Sequence, residues 1–241
     1  EAVKNDYWLR IDRIGKRIAG IEDLSFLEWL YLKIRITGMS NPDTKYVMID
    51  EVQDYTTAQL AILSRYFRRA NFLLLGDENQ AIKPGTASFD EIRHAFEATR
   101  GEVSECHLMT SYRSTPAITE LFAKLAITAD GMQISSVQRA DTEPEFHECA
   151  TESEYIQNLV QAARESKELK GTTAFVALNT EAATHTAQLL GDDSPALIGE
   201  GDTLPNSGSI LLALPLAKGL EFDHVVIVNA SKEDFPDNDL S

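Results

Sequence analysis

Apolar residues along this chain follow two patterns, helical spacing and short unbroken runs. In residues 3–19 they recur on one helix face, and residues 21–36 continue as a second, more apolar helix. Unbroken apolar runs bounded by polar residues predict strands that are buried on both faces, as in the centre of a parallel sheet. The clearest runs are YVMI (46–49), NFLLLGD (71–77), TTAFVAL (172–178), SILLAL (209–214) and HVVIVNA (224–230).

Amphipathic helical patterns separate these runs, at residues 56–70, 88–96, 115–127 and 151–169. Ser88 and Glu91 have the spacing of a capping box. Weaker strand patterns occupy residues 105–113, 133–136, 144–150 and 195–199. Because strand and helix alternate throughout, the pattern predicts an α/β fold with parallel sheets. The alternation restarts after TRGE, which predicts two domains, 1–105 and 106–241.

The composition indicates a folded and strongly acidic protein. Hydrophobic residues make up 43% of the 241 residues, which permits a sizeable core. The apolar runs are far shorter than a membrane span and the first residues lack a signal-peptide pattern, so we expect no membrane association and a cytoplasmic location. Cys106 and Cys149 form no metal-binding or disulfide motif. The net charge of −16 disfavours nucleic-acid phosphate on average, although excess carboxylates also serve solubility.

Clustered carboxylates follow the first predicted strand, in the stretch KYVMIDEVQDYTTAQL. Ligands of open parallel sheets bind beyond the carboxyl ends of the strands, where Asp50 and Glu51 are expected to lie. An aspartate at this position suits Mg²⁺, which prefers hard oxygen ligands, and a neighbouring glutamate suits deprotonation of an attacking water. An acidic turn after a strand is also common without any such function.

Further polar residues follow other strand-like runs. Gly76 permits a tight exit from FLLLGDENQAI, and Gln80 is placed to contact a γ-phosphate or a water. Tyr112 and Arg113 in LMTSYRSTPAI suit base stacking and transition-state charge, and LPLAKGLEFDHVVIV supplies Glu221. Each residue also has an ordinary structural interpretation. Arg113 would then form a surface ion pair, Tyr112 would fill the core, and Glu221 would be a solvated loop carboxylate.

Taken together, these segments resemble the UvrD/Rep class of superfamily 1 helicases. IDEVQD resembles the Walker B motif of that family, LLLGDENQAI its third motif, SYRST its fourth and AKGLEFDHVVIV its fifth. The resemblance implies two RecA-like domains of the P-loop NTPase fold, each partial here, with ATP in the cleft between them. It assigns Mg²⁺ to Asp50, water activation to Glu51, the γ-phosphate to Gln80 and Arg113, and the nucleotide to Tyr112, Gly219 and Glu221, with Lys218 as a possible nucleic-acid contact.

Two expected pieces of the family pattern are not found in this sequence. No GxxxxGK[ST] phosphate loop occurs, and the sixth motif with its second arginine does not follow the fifth. We therefore expect this chain to be a fragment of a longer ATPase and to hydrolyse ATP only at a background rate by itself. Turnover that Glu51→Gln abolishes would contradict this expectation.

The departures from the family pattern also bear on the function. Lys83, Pro84 and Gly85 stand where translocating members carry an aromatic residue that stacks on a base, and Pro215 replaces a histidine of the fifth motif. Pro215, the SYRST form and AKGLEFD together resemble the HelD branch (helicase IV-like), whose Gram-positive members bind RNA polymerase and use ATP to release it from stalled or inactive complexes. The charged residues 1–20 are then expected to belong to the insertion of that branch, or to the return from it.

Two other interpretations stay open. The chain is alternatively part of a single-stranded DNA translocase or repair helicase, or an interaction module that has kept the fold and lost the chemistry. Retention of Asp50, Glu51, Gln80, Arg113 and Glu221 argues against the last.

Overall fold

A computed structural model describes residues 9–20, 23–126, 134–138 and 142–231. The chain divides into two compact units, Glu1–Pro144 and Glu145–Ser241. The predicted boundary after residue 105 lies within the first unit, and the assignment of the two domains stays a prediction. Residues 3–8 of the first predicted helix lie outside the described residues.

Three helices of the first unit begin at side chains that cap them. Ser25, Thr56 and Ser88 each accept from the backbone three residues on, and Glu28, Gln59 and Glu91 reciprocate in full capping boxes. The capping box predicted at Ser88 is therefore confirmed. The elements are α1 (Ile11–Ala19), α2 (Phe26–Thr37), β1 (Tyr46–Ile49), α3 (Thr57–Tyr66), β2 (Asn71–Leu74) and α4 (Phe89–Arg100).

Strands β1 and β2 pair in parallel, with Tyr46 opposite Asn71 and Ile49 opposite Leu74. One face of this sheet packs into a core that includes Leu60, Ile92 and Phe96. The other face stays open, since Tyr46 is 72% and Met48 is 73% exposed. Burial on both faces, predicted from the apolar run, is therefore wrong for these two strands. Successive side chains point to opposite sides, and helices cover only one of them among the described residues.

The remainder of the first unit contains β3 (Thr110–Ser111), α5 (Pro116–Leu125) and β4 (Ser135–Ser136). Strand β3 pairs with β4 in parallel. The predicted strand at 105–113 is thus confirmed only at Thr110 and Ser111, toward its carboxyl end. The strand predicted at 144–150 is wrong, because residues 144–150 form no strand in the structure. A β-strand requires a hydrogen-bonded partner, which an apolar and polar pattern does not supply.

The second unit is built around a four-stranded sheet whose order is β6-β7-β5-β8, with every pair parallel. Phe175 and Ala177 of β5 face one buried cluster, and Ala174 and Val176 face another. Burial on both faces is therefore confirmed for this central strand. The elements are α6 (Glu152–Glu165), β5 (Thr172–Ala177), α7 (Thr180–Leu190), β6 (Ala196–Leu197), β7 (Gly208–Ala213), α8 (Leu214–Ala217) and β8 (His224–Ile227).

The parallel pairing confirms the predicted α/β class. Every strand pair among the described residues is parallel, and helices separate most successive strands. The sheets have two, two and four strands.

Arg100, the last residue of α4, ties the first unit together. Its guanidinium donates to the carbonyl oxygens of Ser64, Phe67 and Ala70, where α3 ends. The guanidinium carbon also lies 4.4 Å from the centre of the Phe72 ring. The Phe67 carbonyl oxygen also accepts from the Ala70 amide at 3.0 Å, so the guanidinium adds to the backbone hydrogen bonds at the end of α3.

We expect Arg100→Met to lower the free energy of unfolding of the first unit by about 2 kcal/mol, because it leaves several carbonyl groups without a charged donor. Arg100→Lys should recover only part of this loss, since an ammonium cannot reproduce the planar fork. Urea denaturation followed by circular dichroism measures the change. The exposed Arg69 provides the control, and equal effects of Arg69→Met and Arg100→Met would contradict the capping role.

Candidate functional site

The carboxyl ends of β1 and β2 lie at one edge of the first sheet, and the chains stay paired just beyond it. The Leu75 amide donates to the Ile49 carbonyl oxygen at 2.8 Å, and the Val52 amide donates to the Leu75 carbonyl oxygen at 2.9 Å. Residues that follow each strand are therefore held side by side. This edge is where ligands of parallel sheets bind.

Asp50 and Glu51 leave β1 at this edge, and both are exposed. The Asp50 carboxylate accepts from the Glu51 amide at 2.9 Å. Glu51 has φ 53° and ψ 44°, a left-handed backbone that few residues other than glycine adopt. Such strain persists where the surroundings hold it, and it is frequent at functional sites. The sequence places both carboxylates correctly after the strand, whereas the strained backbone is visible only in the structure.

A hydrogen bond from the Gln53 side chain holds the Glu51 carboxylate in place. Its Nε2 donates to Glu51 Oε2 at 2.5 Å, and its Oε1 accepts from the Asp77 amide at 3.1 Å. Gln53 is only 1% exposed. The sequence interpretation missed this residue. An uncharged polar side chain beside the apolar Val52, directly after two carboxylates, was the available sign of it.

Gln80 lies at the same edge, beyond β2. Its Nε2 donates to Asp77 Oδ2 at 2.9 Å, while Asp77 Oδ1 accepts from the Asn79 amide at 3.0 Å and caps a short 3₁₀ turn, Glu78–Gln80. A continuous set of hydrogen bonds therefore joins Glu51, Gln53, Asp77 and Gln80. The structure thus brings three of the predicted site residues, Asp50, Glu51 and Gln80, to one edge of one sheet.

The loop after Gln80 is fixed to the same turn. Lys83 Nζ lies 3.0 Å from Asp54 Oδ2, and Asp54 is only 17% exposed. The Ala87 amide donates to the Tyr55 carbonyl oxygen at 2.9 Å. Lys83 occupies the place where the family pattern leads one to expect an aromatic residue, and here it forms an ion pair with the last carboxylate of IDEVQD.

Tyr112 and Arg113 lie at the end of β3, on a different two-stranded sheet of the same unit. Tyr112 is 73% exposed, so the alternative interpretation as a core residue is wrong. Its carbonyl oxygen accepts from the side chain of Gln138, and the Ser111 hydroxyl accepts from the Ser114 amide at 3.2 Å. Arg113 is exposed beside it. Both side chains are accessible to a ligand.

Lys218, Gly219 and Glu221 belong to the second unit, in the turn between α8 and β8. Gly219 has φ +78°, so the turn there favours glycine. Asp223, which follows closely, accepts from the Thr172 amide at 2.7 Å and from the Thr172 hydroxyl at 3.1 Å. These bonds lower the pKa of the Asp223 carboxyl from its ordinary value. Asp223 therefore anchors the segment that carries Glu221, a role the sequence did not indicate.

The residues at the first edge suit a magnesium nucleotide. Among the described residues no three or more His, Cys, Asp or Glu side chains cluster into a metal site. Mg²⁺ is usually held by one or two carboxylates together with waters and substrate phosphates, so it does not require such a cluster. Asp50 provides a carboxylate for that smaller donor set, because it is exposed at the sheet edge. Asp50 would hold the metal.

Comparison with known protein families gives a match within the first unit. Residues 19–82 match the UvrD/REP helicase N-terminal domain, which supports a superfamily 1 helicase of the UvrD/Rep type. The match covers about a quarter of the chain and includes Asp50, Glu51 and Gln80, whereas Arg113 and Glu221 lie outside it. It suggests a nucleotide-dependent helicase activity in general. No curated protein matches the chain.

In the part of the chain that the structure describes, every helix is too short or too polar to span a bilayer.

We expect Asp223→Asn to destabilise the second unit at neutral pH, because the carboxylate is stabilised by its bonds to Thr172. The depressed pKa means that this contribution is present above the unfolded-state value of about 3.9 and is lost as pH falls through the lower, folded-state value. Melting temperatures of wild type and variant should therefore begin to converge as pH falls below about 4. The exposed Asp192 provides the control, and a difference independent of pH would contradict the assignment.

Proposed function

We propose that this protein is a motor-domain part of a UvrD-like superfamily 1 ATPase of the HelD type. It couples ATP hydrolysis to the remodelling of RNA polymerase or nucleic-acid complexes, within a fold of two RecA-like domains. One observation carries the proposal, namely that Asp50, Glu51 and Gln80 meet at the carboxyl edge of a parallel sheet. The match of residues 19–82 to a helicase domain supports the UvrD-like part of the proposal.

Each predicted site residue has a proposed role in ATP hydrolysis. Asp50 would hold Mg²⁺, which would neutralise charge on the phosphates of ATP. Glu51, with one carboxylate oxygen bound to the Gln53 amide, orients an attacking water and takes its proton. Gln80 and Arg113 contact the γ-phosphate. Tyr112 stacks on the adenine, and Gly219 and Glu221 contact the rest of the nucleotide.

Two observations favour a protein target over movement along DNA. The net charge is −16, so most of the surface repels phosphate. The loop beyond Gln80 carries no base-stacking aromatic in its Lys83-Pro84-Gly85 stretch, and Lys83 is paired with Asp54. RNA polymerase is accordingly the proposed partner. DNA contact through Lys218 belongs to the alternative, a single-stranded DNA translocase.

We expect the full-length protein to hydrolyse ATP only with Mg²⁺, and Glu51→Gln to lower kcat about 100-fold or more, because the general base is lost. Phosphate release measures the rate. Glu97→Gln, on the exposed side of α4, is the control and should retain wild-type turnover. Equal rates for Glu51→Gln and wild type would remove Glu51 from the reaction.

Binding experiments then separate the possible functions. Capture of purified RNA polymerase by the full-length protein supports the HelD-type role. Binding to a single-stranded oligonucleotide with a steep dependence on salt, and no capture of the polymerase, identifies a translocase. A full-length protein that neither hydrolyses ATP nor binds it is an interaction module, and both motor interpretations fail.

A further inference from the structure

We propose that Gln53 is a positioning residue for hydrolysis, whose buried amide fixes the Glu51 carboxylate and ties it to the segment that carries Gln80. This inference rests on the proposed ATPase function and adds a residue to it. Gln53 itself is too buried to touch a nucleotide, since it is 1% exposed. It would therefore act through Glu51 and Asp77, which it contacts directly.

The partners of Gln53 fix which way its amide points. The Asp77 backbone amide is a donor, so it requires Oε1, and the Glu51 carboxylate is an acceptor, so it requires Nε2. Rotating the amide by half a turn would place donor against donor and acceptor against acceptor. A single orientation is thus favoured at both ends, and the Glu51 carboxylate receives a donor at a defined place.

Position 53 requires the amide group of glutamine, and a side chain of similar volume is not sufficient. A methionine would fill similar space but would leave the Asp77 amide without its acceptor and Glu51 without its donor. A glutamate would bring a second carboxylate against Glu51 in a buried place, where like charges repel strongly. Glutamine satisfies both neighbours and adds no charge.

Gly76 leaves the space that this bridge needs. A Cβ atom at Gly76 would overlap Oε1 of Gln53 and would also crowd Cγ1 of Val52. The backbone of Gly76 does not lie in the left-handed region, so close approach explains the glycine, not turn geometry. The end of β2 is therefore shaped to admit the Gln53 side chain.

The bridge links the predicted base with the predicted γ-phosphate contact. The Asp77 backbone amide donates to Gln53, and the Asp77 carboxylate accepts from Gln80. A displacement of Gln80 therefore passes through Asp77 and Gln53 to Glu51. The strained backbone at Glu51 leaves that carboxylate dependent on such support. Contact of Gln80 with nucleotide would thus also orient the base.

Kinetics of the full-length protein test the positioning role. We expect Gln53→Met to lower kcat about 10- to 100-fold, the effect typical of residues that orient others at an active site. The Kd for Mg–ADP should stay within about threefold of wild type, since Gln53 does not touch the nucleotide. Gly76→Ala should also lower kcat without changing the Kd for Mg–ADP, because the added methyl group displaces the Gln53 side chain.

Two control substitutions distinguish positioning from general destabilisation. Gln59→Met removes a glutamine of the neighbouring capping box and should lower the melting temperature without lowering kcat. Gly199→Ala introduces a methyl group at a glycine of the second unit whose added Cβ would meet only Asp202, at 3.4 Å, and should change neither quantity.

A spectroscopic measurement tests the bridge without turnover. In protein labelled with ¹⁵N at glutamine side chains, one Gln53 amide proton should resonate downfield and exchange slowly with solvent. Glu51→Ala should abolish both properties while the protein stays folded, because Glu51 is exposed. This variant also serves if Gln53→Met does not fold.

Each outcome decides the inference. If the chemical shift and solvent exchange of the Gln53 amide proton are the same in Glu51→Ala as in wild type, the proposed hydrogen bond from Gln53 to Glu51 is wrong. A Gln53→Met protein with wild-type kcat, or one in which kcat falls only together with nucleotide affinity and melting temperature, overturns the positioning role. Absence of wild-type turnover overturns the proposed function together with this catalytic role, and the amide signal then reports on the bridge alone.

Discussion

The parallel pairing of β1 with β2 is the constraint on which the candidate site depends. It carries the two chains past the strand ends side by side, through the bonds among Ile49, Val52 and Leu75. Without that pairing, Asp50 and Glu51 would be separated from Gln80 by a helix and a strand. With it, a carboxylate pair and an amide share one sheet edge, which is where ligands of parallel sheets bind.

In each compact unit, a hydrogen-bonded polar side chain fixes a segment that carries a predicted site residue. In the first unit, Gln53 bridges Glu51 to the end of β2. In the second, Asp223 binds Thr172 at the start of β5 and so fixes the turn that holds Glu221. Both side chains bond to a segment distant in the chain, which fixes the backbone that carries an exposed side chain without burying that side chain. Local precision thus comes from residues that do not meet the ligand.

Gln53 and Asp223 were missed by the sequence interpretation for a physical reason. Gln53 and Asp77 are 24 positions apart, and Thr172 and Asp223 are 51 positions apart. Neither pair leaves a mark on local periodicity or on capping. The same reason explains the open face of β1, since the apolar run YVMI does not reveal whether helices will cover one side or two.

The sequence by itself determined most of the element types, the parallel α/β class, the capping at Ser88 and the placement of Asp50 and Glu51 beyond a strand. Those features follow from periodicity and from neighbours within a few residues. Only the tertiary structure decided which strand faces are buried, how far the short strand at Thr110 extends and which buried amide supports Glu51. These depend on partners distant in the chain, because a strand extends only as far as its partner and a buried polar group needs one.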